Sequence, residues 1–206
     1  NDSIRAMAVR SLGEYGEVDH VDKISKYLED DSEEVRESAT WALIELLSKT
    51  SESQSHKIRE KLSEKINVAE KEVVSKALEN ILENAKKDNM KRNAIWMLGN
   101  IEDEESVDLL IEYLGSDDRQ MNMLTATSLG KIGEPAVEEL IKAAKSGNKE
   151  EKKMAIYALG KTGTDNETAI NLLGNLVDSE DDEISSFAYR ILSKLESKME
   201  RTEEWQ

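Results

Sequence analysis

The 206-residue chain carries 44 acidic against 28 basic residues, a net charge near −16, which argues against the basic surface that phosphate backbones and anionic membranes require. Cys is absent, removing disulfides, thiolate metal sites and Cys nucleophiles, and no apolar run approaches the ~18 residues of a membrane span. One Pro and ten Gly among abundant Ala, Leu, Glu and Lys favour helix throughout. The lack of Cys and of a secretory signal pattern fits a cytoplasmic protein, and the opening Asn1 suggests a segment trimmed from a longer product.

The first predicted helix ends in "MAVRSLGEYG", where Ile4, Ala8 and Leu12 fall at i−8, i−4 and i on one stripe. A second helix, "VDKISKYL", places Val21 and Ile24 on one stripe, and "EDDSEE" after it offers Ser and Asp as caps. "TWALIELL" repeats the first pattern with Val35, Ala39 and Leu43. Residues 48 to 88 fit less well. A Ser-rich turn, "SKTSESQSH", leads into a surplus amphipathic helix over 54–66, and "EKEVVSKALENILENAKK" then behaves as a second helix.

From there the pattern is regular. "AIWMLGNIED" aligns on Leu98, with Met90 and Ala94 before it, and "VDLLIEYL" follows with Val107 and Leu110. "TATSLGKIGE" aligns on Leu129, with Met121 and Thr125, and is followed by "VEELIKAA" with Val137 and Leu140. "MAIYALGKTG" aligns on Leu159 with Ala155; Glu151 interrupts its stripe and Met154 fills in. "AINLLGNLV" brings Ile170 and Leu173, and "AYRILSKL" closes the series with Ile184, Ala188 and Leu192 on an unpaired helix.

The landmark Leu recurs every 30 to 33 residues, except for one step of 55 between Leu43 and Leu98, long enough for one more helix and its turn. Periods of this size mark solenoids. The small residue at i−4 lets neighbouring helices approach closely, and the Gly-bearing turns "GEYGE", "GKIGEP" and "GKTGTD" suit left-handed helix ends. The units run over about 1–31, 32–88 with the extra helix, 89–118, 119–148 and 149–182, with a terminal helix at 183–206. The fold class is all-α: an α-solenoid, a right-handed superhelix of helical hairpins.

"SEEVRESATWAL" and "TATSLGKIGEPAVEELIKAA" resemble HEAT repeats, specifically the short type also found in phycobilisome lyases. The resemblance implies hairpin units with first helices on the convex face and second helices lining the concave one. It also implies that a basic residue after the apolar start, at Arg5, Arg36, Lys91 and Lys152, pairs with an Asp in the preceding turn. Asn122 and Ser185 depart from that pattern.

Little in the chain points to chemistry. His20 lies between Asp19 and Asp22, and His56 stands in the Ser-rich turn, too few groups for the three or four converging ligands of a metal site. Gly-rich phosphate loops, nucleophile elbows and His-based triads are missing from the sequence. The expectation is a non-enzymatic protein without cofactor. The rival reading, an accessory subunit or lyase-like enzyme, rests on repeat phrasing alone.

Surfaces are more informative. On the second helices, Asp22, Tyr27, Asp108, Leu109, Glu112, Tyr113, Glu138 and Glu139 project a carboxylate-rich row with apolar and aromatic spots. Such a concave row suits a basic or amphipathic protein or peptide, and a solvated face with internal ion pairs is the alternative. On the first helices, Trp41, Trp96 and Tyr157 stand two residues before the landmark, about 160° from it. Packing between neighbouring first helices accounts for that column better than a second partner surface. The function expected is therefore a protein–protein interaction scaffold or adaptor, without nucleic acid or membrane as partner. Mixed with duplex DNA at about 50 mM salt, where phosphate binding is exaggerated, the chain should give no submicromolar complex in an electrophoretic shift assay.

Overall fold

The computed structural model describes residues 1–51, 54, 55, 58, 59, 62 and 71–203, with side chains to 198. Among these residues the chain is all-α and falls into two compact units, Asn1–Asp103 and Glu104–Gln206. The first unit holds α1 (Asp2–Tyr15), α2 (Val21–Ile24), α3 (Glu33–Lys49), α4 (Lys71–Asn84) and α5 (Asp88–Ile101). The second holds α6 (Val107–Ile111), α7 (Arg119–Ile132), α8 (Val137–Ser146), α9 (Lys149–Thr162), α10 (Glu167–Val177) and α11 (Asp182–Glu203). Of the surplus helix at 54–66, five residues are described and helical, with Ile58 and Leu62 buried one turn apart; the rest, with His56, lies outside the described residues.

The turn residues set the helix starts as their chemistry dictates. Asp118 accepts from the N–H groups of Gln120 and Met121, and Asp181 from those of Glu183 and Ile184. Asn148 and Glu151 exchange hydrogen bonds across the first turn of α9 in a capping box. Each such cap contributes about 1 kcal/mol. Ser32, which the sequence offers as a cap for α3, makes no side-chain cap bond. The second helix of the first unit is also shorter than its pattern suggests. Only Val21–Ile24 is α-helical, flanked by 3-10 turns at Val18–His20 and Ser25–Glu29. His20 belongs to this arrangement: its Nδ1 accepts the Glu17 N–H at 3.0 Å, a turn-closing role.

The glycine that follows the landmark at Leu12, Leu129 and Leu159 sits inside its first helix, not in the turn, and carries the close packing. A Cβ on Gly13 would lie 2.5 Å from the Ala42 Cα, one on Gly130 2.4 Å from the Lys161 Cβ, and one on Gly160 2.7 Å from the Ile191 Cγ2. Successive first helices therefore touch at the residue after the landmark: Gly13 and Gly160 meet the residue before the next landmark, and Gly130 meets Lys161, two residues after it. The second glycine does the turning: Gly133 and Gly163 adopt φ of 84° and 66°, where a side chain is strained. Glu102, at φ 50°, performs the same duty after α5 without being glycine.

The packed pairs are all neighbours in the series. First helices stack α1 on α3 on α5, and α7 on α9 on α11. Each second segment packs most closely on the first helix that follows it: the α2 segment on α3, α4 on α5, α6 on α7, α8 on α9 and α10 on α11. The close hairpin thus straddles the boundary between sequence units. Two expectations change as a result. The terminal helix α11 is paired, with α10 and α9. Helix α1 packs on α3 through Ala6, Val9 and Gly13, while Ile4, on the predicted core stripe, is 66% exposed and Ala8 is exposed too. In α3 the equivalent Val35 and Ala39 are fully buried, because the α2 segment precedes that helix and packs on it. At the other end Leu192 is half-buried and Ile191 takes the core position.

The residue seven before the landmark reaches back over the turn that precedes it. Arg36 donates to the Asp30 carbonyl at 2.6 Å, Asn122 accepts the Gly115 N–H at 2.9 Å, and the Ser185 hydroxyl donates to the Val177 carbonyl at 2.5 Å. The departures at Asn122 and Ser185 thus change the chemistry and keep the task. Arg5 instead reaches forward, with Nη2 at 2.7 Å and Nε at 3.1 Å from the two carboxylate oxygens of Asp30. This hydrogen-bonded pair, aided by the Ser32 N–H, holds the Asp30 carboxyl below its usual range.

Two sets of substitutions check this packing by urea denaturation. Gly13→Ala should destabilise by about 1–3 kcal/mol through overpacking against Ala42. Gly174→Ala, where a Cβ meets nothing within 4 Å in α10, should stabilise by up to ~1 kcal/mol. Because the Asp30 pKa is depressed, its contribution is present above the unfolded value near ~4 and is lost as pH falls through the folded value. Asp30→Asn should therefore lower the unfolding midpoint at pH 7, and the difference from the parent chain should close below about pH 4.

Candidate partner-binding site

Two surfaces stand out, one on each helix layer. On the second helices of the second unit, Asp108 on α6, Glu112 just past its end and Glu138 on α8 are exposed, and α6 packs beside α8. Leu109, Tyr113 and Glu139 are half-buried alongside them. Two of the acids are already engaged: Lys142 lies 3.3 Å from Glu138 and 2.5 Å from Glu139, both on its own helix, and these hydrogen bonds raise the lysine's pKa. Leu172, which holds on α10 the repeat position that Leu109 holds on α6, is buried.

In the first unit Asp22 is exposed and Tyr27 half-buried. Tyr27 lines a groove of about 630 Å³ with Leu12, Lys23, Lys26 and Asp30. That groove mixes both signs of charge.

The first-helix column of Trp41, Trp96 and Tyr157 is half-buried throughout, and each ring has a cation over it. Arg10 lies 5.0 Å from the Trp41 centroid, Arg59 5.3 Å from Trp96 and Lys161 5.4 Å from Tyr157. Arg10 and Trp41 occupy the same repeat position on successive first helices, whereas Lys161 reaches Tyr157 from one turn along the same helix. Cation–π pairs at such partly exposed sites contribute about 0.5–1 kcal/mol each.

Tyr157 has a further setting. In the second unit a groove of about 810 Å³ crosses the first helices α7, α9 and α11. Met123, Met154, Tyr157, Phe187 and Ile191 line it with apolar surface, and Met123 is 39% exposed. Arg119, Lys153, Arg190 and Lys194 border it, against Asp117 and Glu150. Lys153 is committed, at 3.0 Å from Glu150 and 2.7 Å from Glu183. Lys149 bridges Asp181 at 2.9 Å and Glu183 at 2.7 Å, and these contacts raise the Lys149 pKa while lowering those of both acids. Together the pairs tie the start of α9 to the start of α11. Among the described residues Arg119, Arg190 and Lys194 have no ion-pair partner, although Arg190 stacks 4.6 Å from the Phe187 ring.

This groove was not anticipated from the sequence beyond Tyr157. Its signal is there in the sequence: Met123 and Phe187 are apolar residues six and five positions before a landmark, off the core stripe. Among the described residues no three His, Asp or Glu side chains converge as metal ligands, and no helix is long and apolar enough to cross a membrane.

Comparison with known proteins agrees with this repeat geometry. A family model described as HEAT repeats matches residues 1–61 and 75–146. A HEAT repeat-containing taxis protein of Halobacterium salinarum is 33% identical over 165 residues, covering 75% of this chain and 40% of its own. The chain thus spans less than half the length of that relative. Among solved structures, an engineered protein aligns over 96% of this chain and 92% of its own at 20% identity, with a TM-score of 0.45. A designed armadillo repeat protein in complex with the peptide (KR)4 aligns over 92% and 91% at 19% identity, with a TM-score of 0.43. With the family match covering more than half of its residues and the "LG" contacts recurring between successive first helices, the chain belongs to the HEAT-repeat family.

Proposed function

We propose that the chain is a protein-binding adaptor that takes a basic or amphipathic segment of a partner on its second-helix face, the concave one in this family. The observation that carries the reading is the exposure of Asp108 on α6, Glu112 at its C-terminal end and Glu138 on the adjacent α8, with Leu109 and Tyr113 half-buried among them. Exposed carboxylates contribute under ~1 kcal/mol per ion pair, so the row steers a partner more than it holds it. Affinity comes from the apolar and aromatic spots, since a few buried anchors dominate interfaces. In the first unit, Asp22 is exposed and Tyr27 half-buried, and in the second Glu139, held by Lys142, serves the row's edge. Similarity to a HEAT repeat-containing taxis protein supports placing the adaptor in taxis. The lyase-type alternative has no observation in its favour beyond repeat phrasing.

Stopped-flow binding of a fluorescent Lys-rich amphipathic peptide tests the assignment. Asp108→Lys combined with Glu138→Lys should slow association severalfold and flatten its salt dependence, with dissociation nearly unchanged. Tyr113→Ala should instead speed dissociation roughly tenfold, a ~1.4 kcal/mol loss. Unchanged kinetics in all of these variants would remove the second-helix face from consideration.

A further inference from the structure

The groove across the first helices of the second unit has a composition that sets it apart from the rest of the surface. In a chain of net charge −16 it gathers four cations and two acids, and three of those cations, Arg119, Arg190 and Lys194, have no ion-pair partner among the described residues. The cations stand around an apolar floor of Met123, Met154, Tyr157, Phe187 and Ile191. Exposed Met and aromatic surface ringed by Arg is the composition of binding hot spots. Met also gives a floor that repacks around side chains of different shape. The volume, about 810 Å³, lies within the range of ligand-sized clefts and suits a few bulky side chains rather than a whole domain.

Packing alone does not account for these groups. Helix α11 is held to α9 through Ile191 against Gly160 and through the ion pairs of Lys149 and Lys153 with Glu183. None of Arg119, Arg190 or Lys194 takes part in those contacts. Met123, more than a third exposed on α7, adds an apolar group where a polar one would cost the fold nothing.

We infer that this groove is a second protein-binding site, and that its occupant is an acidic segment of a partner protein carrying two or three large apolar side chains. The carboxylates would meet Arg119, Arg190 and Lys194, and the apolar side chains would seat on Met123, Tyr157 and Phe187. The sign of the partner is opposite to that of the second-helix row, so the two sites discriminate between partners by charge. The inference stands independently of the basic-partner reading.

Fluorescence anisotropy on the full chain separates the outcomes, using four labelled peptides: a Glu-rich amphipathic peptide with Leu and Phe at helical spacing, its Lys-for-Glu counterpart, a Glu-rich peptide with Ala at every apolar position, and polyglutamate. The Glu-rich amphipath should bind, and Arg190→Glu with Lys194→Glu should weaken it at least tenfold. Met123→Ala, on an exposed position that leaves folding intact by circular dichroism, should weaken it severalfold. Neither change should alter binding of the Lys-rich counterpart, which reports only on the second-helix row. Equal binding of the Ala peptide or polyglutamate would reduce the groove to a nonspecific anion patch and overturn the inference. So would unchanged binding in the variants, or no binding at about 1 mM peptide. Concentration-dependent self-association lost in the same variants, without peptide binding, would assign the face to a second copy of the chain and equally overturn it.

Discussion

Successive first helices approach one another so closely that a single methyl group cannot be added at the crossing, and the periodic features of the chain trace back to that contact. Gly13 meets Ala42 and Gly160 meets Ile191 at the same repeat position. A glycine in mid-helix costs about 1 kcal/mol relative to alanine, so its recurrence needs a compensating gain. The gain is dense burial on both sides of the landmark Leu: Leu43, Ile44, Leu46 and Leu47 in α3 are all but fully buried, each contributing about 1.5–3 kcal/mol. The phrase "LG" recurs because the leucine supplies the apolar area and the glycine lets the next helix reach it.

The second constraint is the offset pairing. A second helix finds its close partner in the following first helix, across a turn that residue i−7 pins from behind. Arginine, asparagine and serine all perform that pinning, because the turn presents both a carbonyl and an N–H and each side chain takes whichever it can reach. The same offset explains why the two ends of the described array differ from its middle. A first helix is covered on one side by the preceding second helix and on another by the next first helix. Helix α1 has only the latter among the described residues, so Ile4 faces solvent although Val35, Met90, Met121 and Ile184 at the same repeat position are buried.

Periodicity made the helices, their order and most of the core legible, because apolar spacing at 3.6 residues is written in side chains that Leu98, Leu129 and Leu159 bury completely. Caps at Asp118 and Asp181 are equally local, each carboxylate accepting from backbone N–H groups two and three residues on. What one helix does to another was not legible. Ile4 and Leu192 carry the right residue type in the right register, yet their burial depends on neighbours the local pattern does not encode. Leu172 reads as an exposed position and is buried, and the glycines of the "LG" pairs read as turn residues although their role is tertiary. The first-helix groove escaped because Met123, Tyr157, Phe187 and Arg190 come from three helices, and sequence distance says nothing of a shared rim. The second-helix row, spaced by the repeat itself, was visible residue by residue, although the Lys142 pairs that temper it were not.

Net charge was the most persuasive global number and the least informative local one. A value of −16 argues well against polyanionic partners that must contact many positions at once. It says little about a site a few side chains wide, because at physiological salt the Debye length is about 8 Å and distant carboxylates are screened. A ligand seated on Met123 and Phe187 would sense Arg119, Arg190 and Lys194 within reach and only a faded image of the acidic second helices. Each helix layer of the second unit therefore presents its own electrostatic identity: carboxylates near Tyr113 on the second helices, and around an apolar floor on α7, α9 and α11 the cations Arg119, Arg190 and Lys194, without an ion-pair partner among the described residues. Short-range screening is what makes this division usable, since without it the acidic excess would overwhelm the basic rim. A repeat protein gains from the arrangement because its two layers are built from different helices, so one face can change its partner chemistry while the "LG" contacts that hold the stack stay as they are.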